Sequence, residues 1–341
     1  MKKILFVILA NLILIGGGVT IFFASCEGPE GPPGSDGLDG NETCKTCHNL
    51  TKKDLVESQF KSSLHVTGNV VEERNTCAAC HSEQGLHETL ATGRDTTAEE
   101  VAIPIGFNCN FCHDSHQTMD TADGKDYALA MLDSFKMRIN TGVKIASNQG
   151  CSYCHQPRLP SPKPVETSTV NMTVTSSRFG VHYGVQAAVL QGKGNYAFGS
   201  GYENSAHASL NCSKCHMAES ANAKFGGHTF RVKSEDGLES NLAACTECHA
   251  GLTTFDYQGK QTEIQGLIDQ LTTKLNNLGL IEMVDGKPTG YVKLTSGSLT
   301  STNKNFAAIV NFQLALRDGS KGIHNYKFTK KMLENTIASL P

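Results

Sequence analysis

The chain of 341 residues has no tryptophan, only 7% aromatic residues and 39% apolar residues. A typical globular domain reaches roughly 45–50% apolar, a figure that also counts glycine. So thin a supply argues against one large self-sufficient core, and hydrophobic mass is expected from something other than side chains. An excess of positive charge is missing as well. The formal charge is -3, and setting aside Lys2 and Lys3 leaves 28 basic against 33 acidic residues, or -5. A nucleic-acid binder should be basic on at least one face, so that class is excluded. At roughly 100–200 residues per domain, the length allows two or three domains.

Cysteine and histidine, by contrast, are abundant, with 13 of each. Lys2-Lys3 precede an apolar run from Ile4 to Ala24, broken only by Asn11, Thr20 and Gly16-Gly17-Gly18. This reads as a secretory signal over residues 1–25. An uncleaved anchor is the rival, since about 20 apolar residues can span a bilayer. Five G-X-Y triplets follow, Gly28-Pro29-Glu30 through Gly40-Asn41-Glu42. Glycine at every third position suits a collagen axis. So short a run with few prolines is read instead as a solvated tether of roughly 45 Å, at about 3.1 Å per residue.

From residue 43 one pattern recurs six times: Cys44-Lys45-Thr46-Cys47-His48, Cys77-Ala78-Ala79-Cys80-His81, Cys109-Asn110-Phe111-Cys112-His113, Cys151-Ser152-Tyr153-Cys154-His155, Cys212-Ser213-Lys214-Cys215-His216 and Cys245-Thr246-Glu247-Cys248-His249. C-x-x-C-H is the attachment signature of c-type haem. Cysteines three apart on a helical turn can each form a thioether to one haem vinyl group. The next residue then presents its imidazole to the iron from the same side. A lone C-x-x-C would also suit half of a zinc ribbon or a redox dithiol. Six copies, each followed by histidine on an exported chain, point to six covalently attached haem c groups. Motif starts lie 33, 32, 42, 61 and 33 residues apart, a loose repeat rather than a solenoid period. The expected fold is mainly α with much irregular loop and little β: short helices at the motifs, organised around the haems.

Each iron needs a second axial ligand or keeps an open position. Beyond the motif histidines stand His65, His87, His116, His182, His207, His228 and His324, one more than six irons need. Methionine is the common alternative. Of Met119, Met131, Met137, Met172, Met217, Met283 and Met332, most read as helical core, and Met217 follows a motif histidine too closely to reach the far face. His116, three residues after His113, should serve a neighbouring haem, and His87, six after His81, the same. His116 and His182 are the leading candidates for the surplus residue. Ile264, Leu267, Ile268, Leu271, Leu275 and Leu278 form one helical stripe that stops at Gly279, a packing surface.

The chain after residue 43 resembles the multihaem c-type cytochromes. In that family, contexts like Ser62-Ser63-Leu64-His65 and Asn204-Ser205-Ala206-His207 look like distal-ligand sites. Phe23-Ala24-Ser25-Cys26 resembles the bacterial lipobox, which implies lipidation of Cys26, the one cysteine outside the motif pairs. Over roughly residues 178–340, three stretches resemble the pentahaem nitrite reductase and octahaem cytochromes. They are Arg178-Phe179-Gly180-Val181-His182-Tyr183-Gly184, Gly226-Gly227-His228-Thr229-Phe230 and Arg317-Asp318-Gly319-Ser320-Lys321-Gly322-Ile323-His324-Asn325. The resemblance implies that His324 returns as a distal ligand, with Asn325 capping the next helix. Most nitrite reductases of that group carry C-x-x-C-K at the catalytic haem, and no motif here ends in lysine.

The expected organisation is a signal at 1–25, a lipidated Cys26 and tether at 26–42, a hexahaem domain at 43–260, and a C-terminal helical segment at 261–341. The function expected is electron transfer between membrane or periplasmic donors and a terminal or extracellular acceptor, with no catalytic residue assigned. A reductase of nitrogen or sulfur oxyanions at one open haem is the alternative, and a haem-stacked conductive filament a third. Expected partners are redox proteins and, through the lipid, a membrane at the periplasmic or outer cell surface. An oligomer or filament stays open, and no nucleic acid is expected.

Overall fold

The computed structural model describes residues 50–68, 71–113, 135–138, 140–145, 150–158, 160–220 and 223–341. All of them fall in one unit, Cys47–Pro341. The export segment, Cys26, the tether, the Cys44–His48 motif, His116, Met119 and Met131 lie outside the described residues.

The first half of the described chain is short helices and loops: α1 (Leu50–Ser62), α2 (Leu64–Thr67), α3 (Asn75–His81) and α4 (Glu83–Thr92), then a two-stranded hairpin of β1 (Phe135–Met137) and β2 (Asn140–Ile145), and α5 (Cys151–Cys154). Ser82 separates α3 from α4. Its hydroxyl accepts from Gly85 N at 3.0 Å, capping α4. The apolar cluster here is small, built on Leu86, Phe111 and Tyr153, as the low apolar fraction predicts.

The second half departs from that expectation. It contains β3 (Asn171–Val174), α6 (Gln186–Leu190), α7 (Cys212–His216), α8 (Ala243–Thr246), α9 (Lys260–Asn277), β4 (Ile281–Val284), β5 (Lys287–Val292), β6 (Leu299–Thr302), α10 (Asn303–Asp318) and α11 (Tyr326–Ser339). One sizeable core gathers residues from Val174 to Leu340 around α10. Phe306, Ile309, Val310, Phe312 and Leu314 on α10 are fully buried. A helix buried on every side over Phe306 to Ala315 is a central helix, and a whole-chain average conceals it. β3 pairs antiparallel with β6, Asn171 opposite Thr302, so residues before and after position 260 share this core. The fold is mainly helical with three two-stranded sheets among the described residues. Met332 is buried on α11, whereas Met137, Met172 and Met283 are on strands, so helical core accounts for fewer of the methionines than expected.

Two buried amides fasten the loops to α10. Asn311 accepts from Tyr196 N at 2.7 Å and donates to Tyr196 O and to Thr336 Oγ1. Gln313 donates to the carbonyls of Phe179 and Gly290 and accepts from Val181 N at 3.1 Å. The second staple fixes the backbone immediately before His182. Thr302 caps α10, Gly319 ends it with a left-handed φ of 67°, and Asn325 caps α11 by accepting from Phe328 N. Among the described residues, no helix is long and apolar enough to cross a membrane.

Candidate functional site

Each described motif is folded on a short helical turn. Cys77 and Cys80 lie on α3, Cys109 opens a 3-10 turn ending at Phe111, and α5, α7 and α8 carry the later motifs. One turn puts two thiols three residues apart on one side. The ten described motif cysteines are all free, so none of those thiols is spent in a disulfide.

Five motif histidines each face one of the candidate distal histidines. Ring centroids are 6.2 Å apart for His81 and His182, 6.3 Å for His113 and His228, and 6.0 Å for His155 and His65. They are 6.2 Å apart for His216 and His324, and 6.0 Å for His249 and His207. A direct N–H···N hydrogen bond near 3.0 Å would bring the centroids to about 5.2 Å. Two metal–imidazole bonds of about 2.0 Å, with each ring centre about 1.1 Å farther back, give about 6.2 Å. The observed spacing therefore fits one iron between two imidazoles. Among the described residues, no three or more His, Cys, Asp or Glu side chains converge as a bare metal ion would require.

The ring orientations agree with that fit. Nδ1 of His155 lies 3.2 Å from Gln186 Oε1, and Nδ1 of His207 donates to the Ile323 carbonyl at 2.6 Å. Nδ1 of His216 donates to the Phe230 carbonyl at 2.9 Å, and Nδ1 of His324 lies 2.7 Å from Asp318 Oδ1. Engaging Nδ1 fixes the tautomer and leaves the Nε2 lone pair to a metal. Burial pushes His65 and His182 down to about 4, with the facing histidines adding to it. Burial also lowers His155, His216 and His228, so these rings are in the neutral, ligating form at pH 7. His324 is the exception. Burial lowers it too, but the Asp318 charge and hydrogen bond outweigh burial and raise it.

His87 is placed differently. Its Nε2 is 2.9 Å from the Asn110 carbonyl oxygen, which can only accept, so Nε2 is the donor. His182, one of the two leading candidates for the surplus residue, is drawn into a pair instead.

The motifs also meet one another, and not in chain order. The Cys80 thiol lies beside that of Cys154, and the Cys151 thiol beside that of Cys212. Cys112 lies near enough to Cys151 and Cys154 to raise both. Lys214 and Glu247 form an ion pair between the last two motifs. The motif on α5 thus adjoins three others. Phe230, held at a φ of 55°, lies 5.0 Å from the His65 ring and 5.9 Å from that of His228 while its carbonyl holds His216.

The protein part leaves specific polar gaps. Arg138 Nη2, Arg231 Nε and Arg317 Nε are buried without an acceptor. Arg138 reaches Cys80 Sγ at 3.6 Å and covers the Tyr153 ring, and Arg317 stacks on Tyr183 at 4.6 Å. Haem c brings two propionate carboxylates, and buried guanidinium N–H groups are their natural partners. The donor set, the ring spacing and these orphaned nitrogens all fit haem c. Sequence reasoning assigned no role to these arginines or to Asp318, because their meaning depends on which side chains they meet.

No protein-family model matches the chain, and no curated protein is significantly similar to it. Two solved structures match. The outer cell wall cytochrome OcwA is 20% identical with a TM-score of 0.48, over 83% of this chain and 50% of its own. An undecahaem cytochrome from the S-layer of Carboxydothermus ferrireducens is 17% identical with a TM-score of 0.45, over 82% of this chain and 41% of its own. The chain spans half or less of either structure.

Proposed function

We propose that the chain is a multihaem c-type cytochrome that carries electrons, exported and held at the cell surface by a lipid on Cys26. It holds six haem c through Cys44/Cys47, Cys77/Cys80, Cys109/Cys112, Cys151/Cys154, Cys212/Cys215 and Cys245/Cys248. The proximal ligands are His48, His81, His113, His155, His216 and His249. The observation that carries this reading is the set of five imidazole pairs, each joining a C-x-x-C-H histidine to one of the seven remaining histidines at the spacing of two iron bonds.

When bound, such a haem takes up and releases one electron at its iron. The chain's own groups prepare that exchange. Nδ1 partners aim His155, His207, His216 and His324. Burial holds His65, His155, His182, His216 and His228 below the ordinary histidine range, and the buried arginines keep N–H groups free for carboxylates. With histidine on both faces, no coordination position is left for a substrate, which favours a conductor over a reductase. The Phe107 and Phe230 rings both pack against His65, adding apolar surface at that pair.

The test is intact mass together with electron paramagnetic resonance of the purified protein. The expected result is six haem masses plus acylation on a chain starting at Cys26, with all iron low-spin. A resting high-spin haem that binds nitrite or cyanide rapidly, with sustained turnover, would overturn the electron-carrier reading in favour of the reductase.

A further inference from the structure

The His216–His324 pair differs from its neighbours in what holds its ring. His155, His207 and His216 have neutral Nδ1 acceptors: an amide oxygen and two backbone carbonyls. His324 has the carboxylate of Asp318 at 2.7 Å, with the Asp318 side chain 1% exposed. The turn between them is built to keep this contact. Gly319 takes a left-handed φ of 67° to end α10, and Gly322, at a φ of 90°, passes Ile264 so closely that a Cβ there would lie 3.0 Å from Ile264 Cγ1. Ser320 donates its hydroxyl to Asp318 Oδ2, and its carbonyl is held by Gln261 Nε2 at 2.9 Å. Arg317, next in sequence, turns its guanidinium away to the carbonyls of Val181 and Gly290.

We infer that Asp318 is a positioning and tuning residue for the haem between His216 and His324, lowering its potential relative to the same site with a neutral acceptor. The inference rests on the reading of that pair as iron ligands. A buried carboxylate that accepts Nδ1–H makes the imidazole a stronger donor at Nε2. A stronger axial donor, with negative charge close by, stabilises Fe(III) over Fe(II). Ser320 moderates this effect, since its hydroxyl draws density from the carboxylate.

The experiment is a redox titration of the full-length holoprotein followed by electron paramagnetic resonance. His324→Ala first identifies the component by the low-spin signal it removes. In Asp318→Asn that component should shift about tenfold or more toward the reduced form, about 59 mV upward for one electron, while haem content and the other components hold. Ser320→Ala should move the same component the other way. A six-haem Asp318→Asn protein with that component unmoved overturns the inference, as does an upward shift in Ser320→Ala. If Asp318→Asn fails to mature, Ser320→Ala decides alone, because it removes no charge. Failure of the underlying reading is seen separately, as absent haem or absent low-spin iron in the unsubstituted protein.

Discussion

The imidazole of His182 stands 6.2 Å from that of His81, on a loop that α10 holds in place through Gln313 and Arg317. Removing it should therefore open one haem and only one. In His182→Ala, one of the six haems is expected to become high-spin and to bind cyanide much faster than any haem of the parent. His182→Met should restore a low-spin state. The check is the high-spin signal at low temperature, and a His182→Ala protein with an unchanged spectrum refutes the pairing.

His87 and His116 can be separated in the same way. The paired rings with a described partner at Nδ1 keep Nε2 uncommitted, whereas His87 spends Nε2 on the Asn110 carbonyl. His87 is thus the expected surplus residue, and the histidine count then leaves His116 as an expected distal ligand. The expected outcome is a His87→Ala protein with six low-spin haems, and a His116→Ala protein with one high-spin haem. The reverse pattern would exchange the two assignments.

Tyr196 supplies a pH-dependent test of the core that is independent of the haems. It is 8% exposed, its hydroxyl is buried without a partner, and burial and Glu166 push it up to about 12. In the unfolded chain a tyrosine titrates near 10. The folded state thus holds the proton more tightly, so its contribution is complete below pH 10 and is lost between about 10 and 12. Tyr196→Phe should stabilise the protein at pH 8 by about 1 kcal/mol, by removing an unpaired hydroxyl. Its advantage should widen as pH rises through that window. Guanidinium denaturation followed by circular dichroism at pH 8 and pH 11 measures both effects.

These residues show where sequence suffices and where it stops. Short-range chemistry is legible. The motif turns follow from the cysteine spacing, and the stripe on α9 buries Ile264, Ile268, Leu271 and Leu275. Leu278 falls out of that stripe at 38% exposed, because the chain has already begun its turn into Gly279. The β4–β5 hairpin is legible too, although the expectation of little β passes over it. Asp285-Gly286 has both residues at positive φ, the signature of a tight two-residue turn between paired strands. Long-range pairing was not legible. His65 and His207 each precede a motif closely, yet each faces the histidine of a later one. The sequence supplies a count of imidazoles, but tertiary packing decides which two meet. The role of Asp318 has the same origin, since it needs both the burial of the carboxylate and the turn that brings His324 back to it.

Gly180 is where that packing bears most directly on the site. Its φ is +126°, a conformation that L side chains rarely adopt, and a Cβ built on it would lie 1.6 Å from Gln313 Oε1. Gln313 cannot withdraw cheaply, because it is fully buried and satisfies three backbone groups. Gly180→Ala therefore combines backbone strain with the loss of at least one buried hydrogen bond, for a cost of about 3 kcal/mol or more. The displaced amide releases Val181 N, and with it the strand of chain that presents His182 to His81. Two readouts should then move together: a lower denaturation midpoint, and a high-spin fraction confined to one haem. Trimming the obstructing side chain separates the causes. In the double variant Gly180→Ala/Gln313→Ala the clash is gone, so its cost should be smaller than the sum of the two single costs, as expected of residues in contact. Additive costs, or a Gly180→Ala protein that matches the parent in both midpoint and spectrum, would show that the amide staple does not position His182.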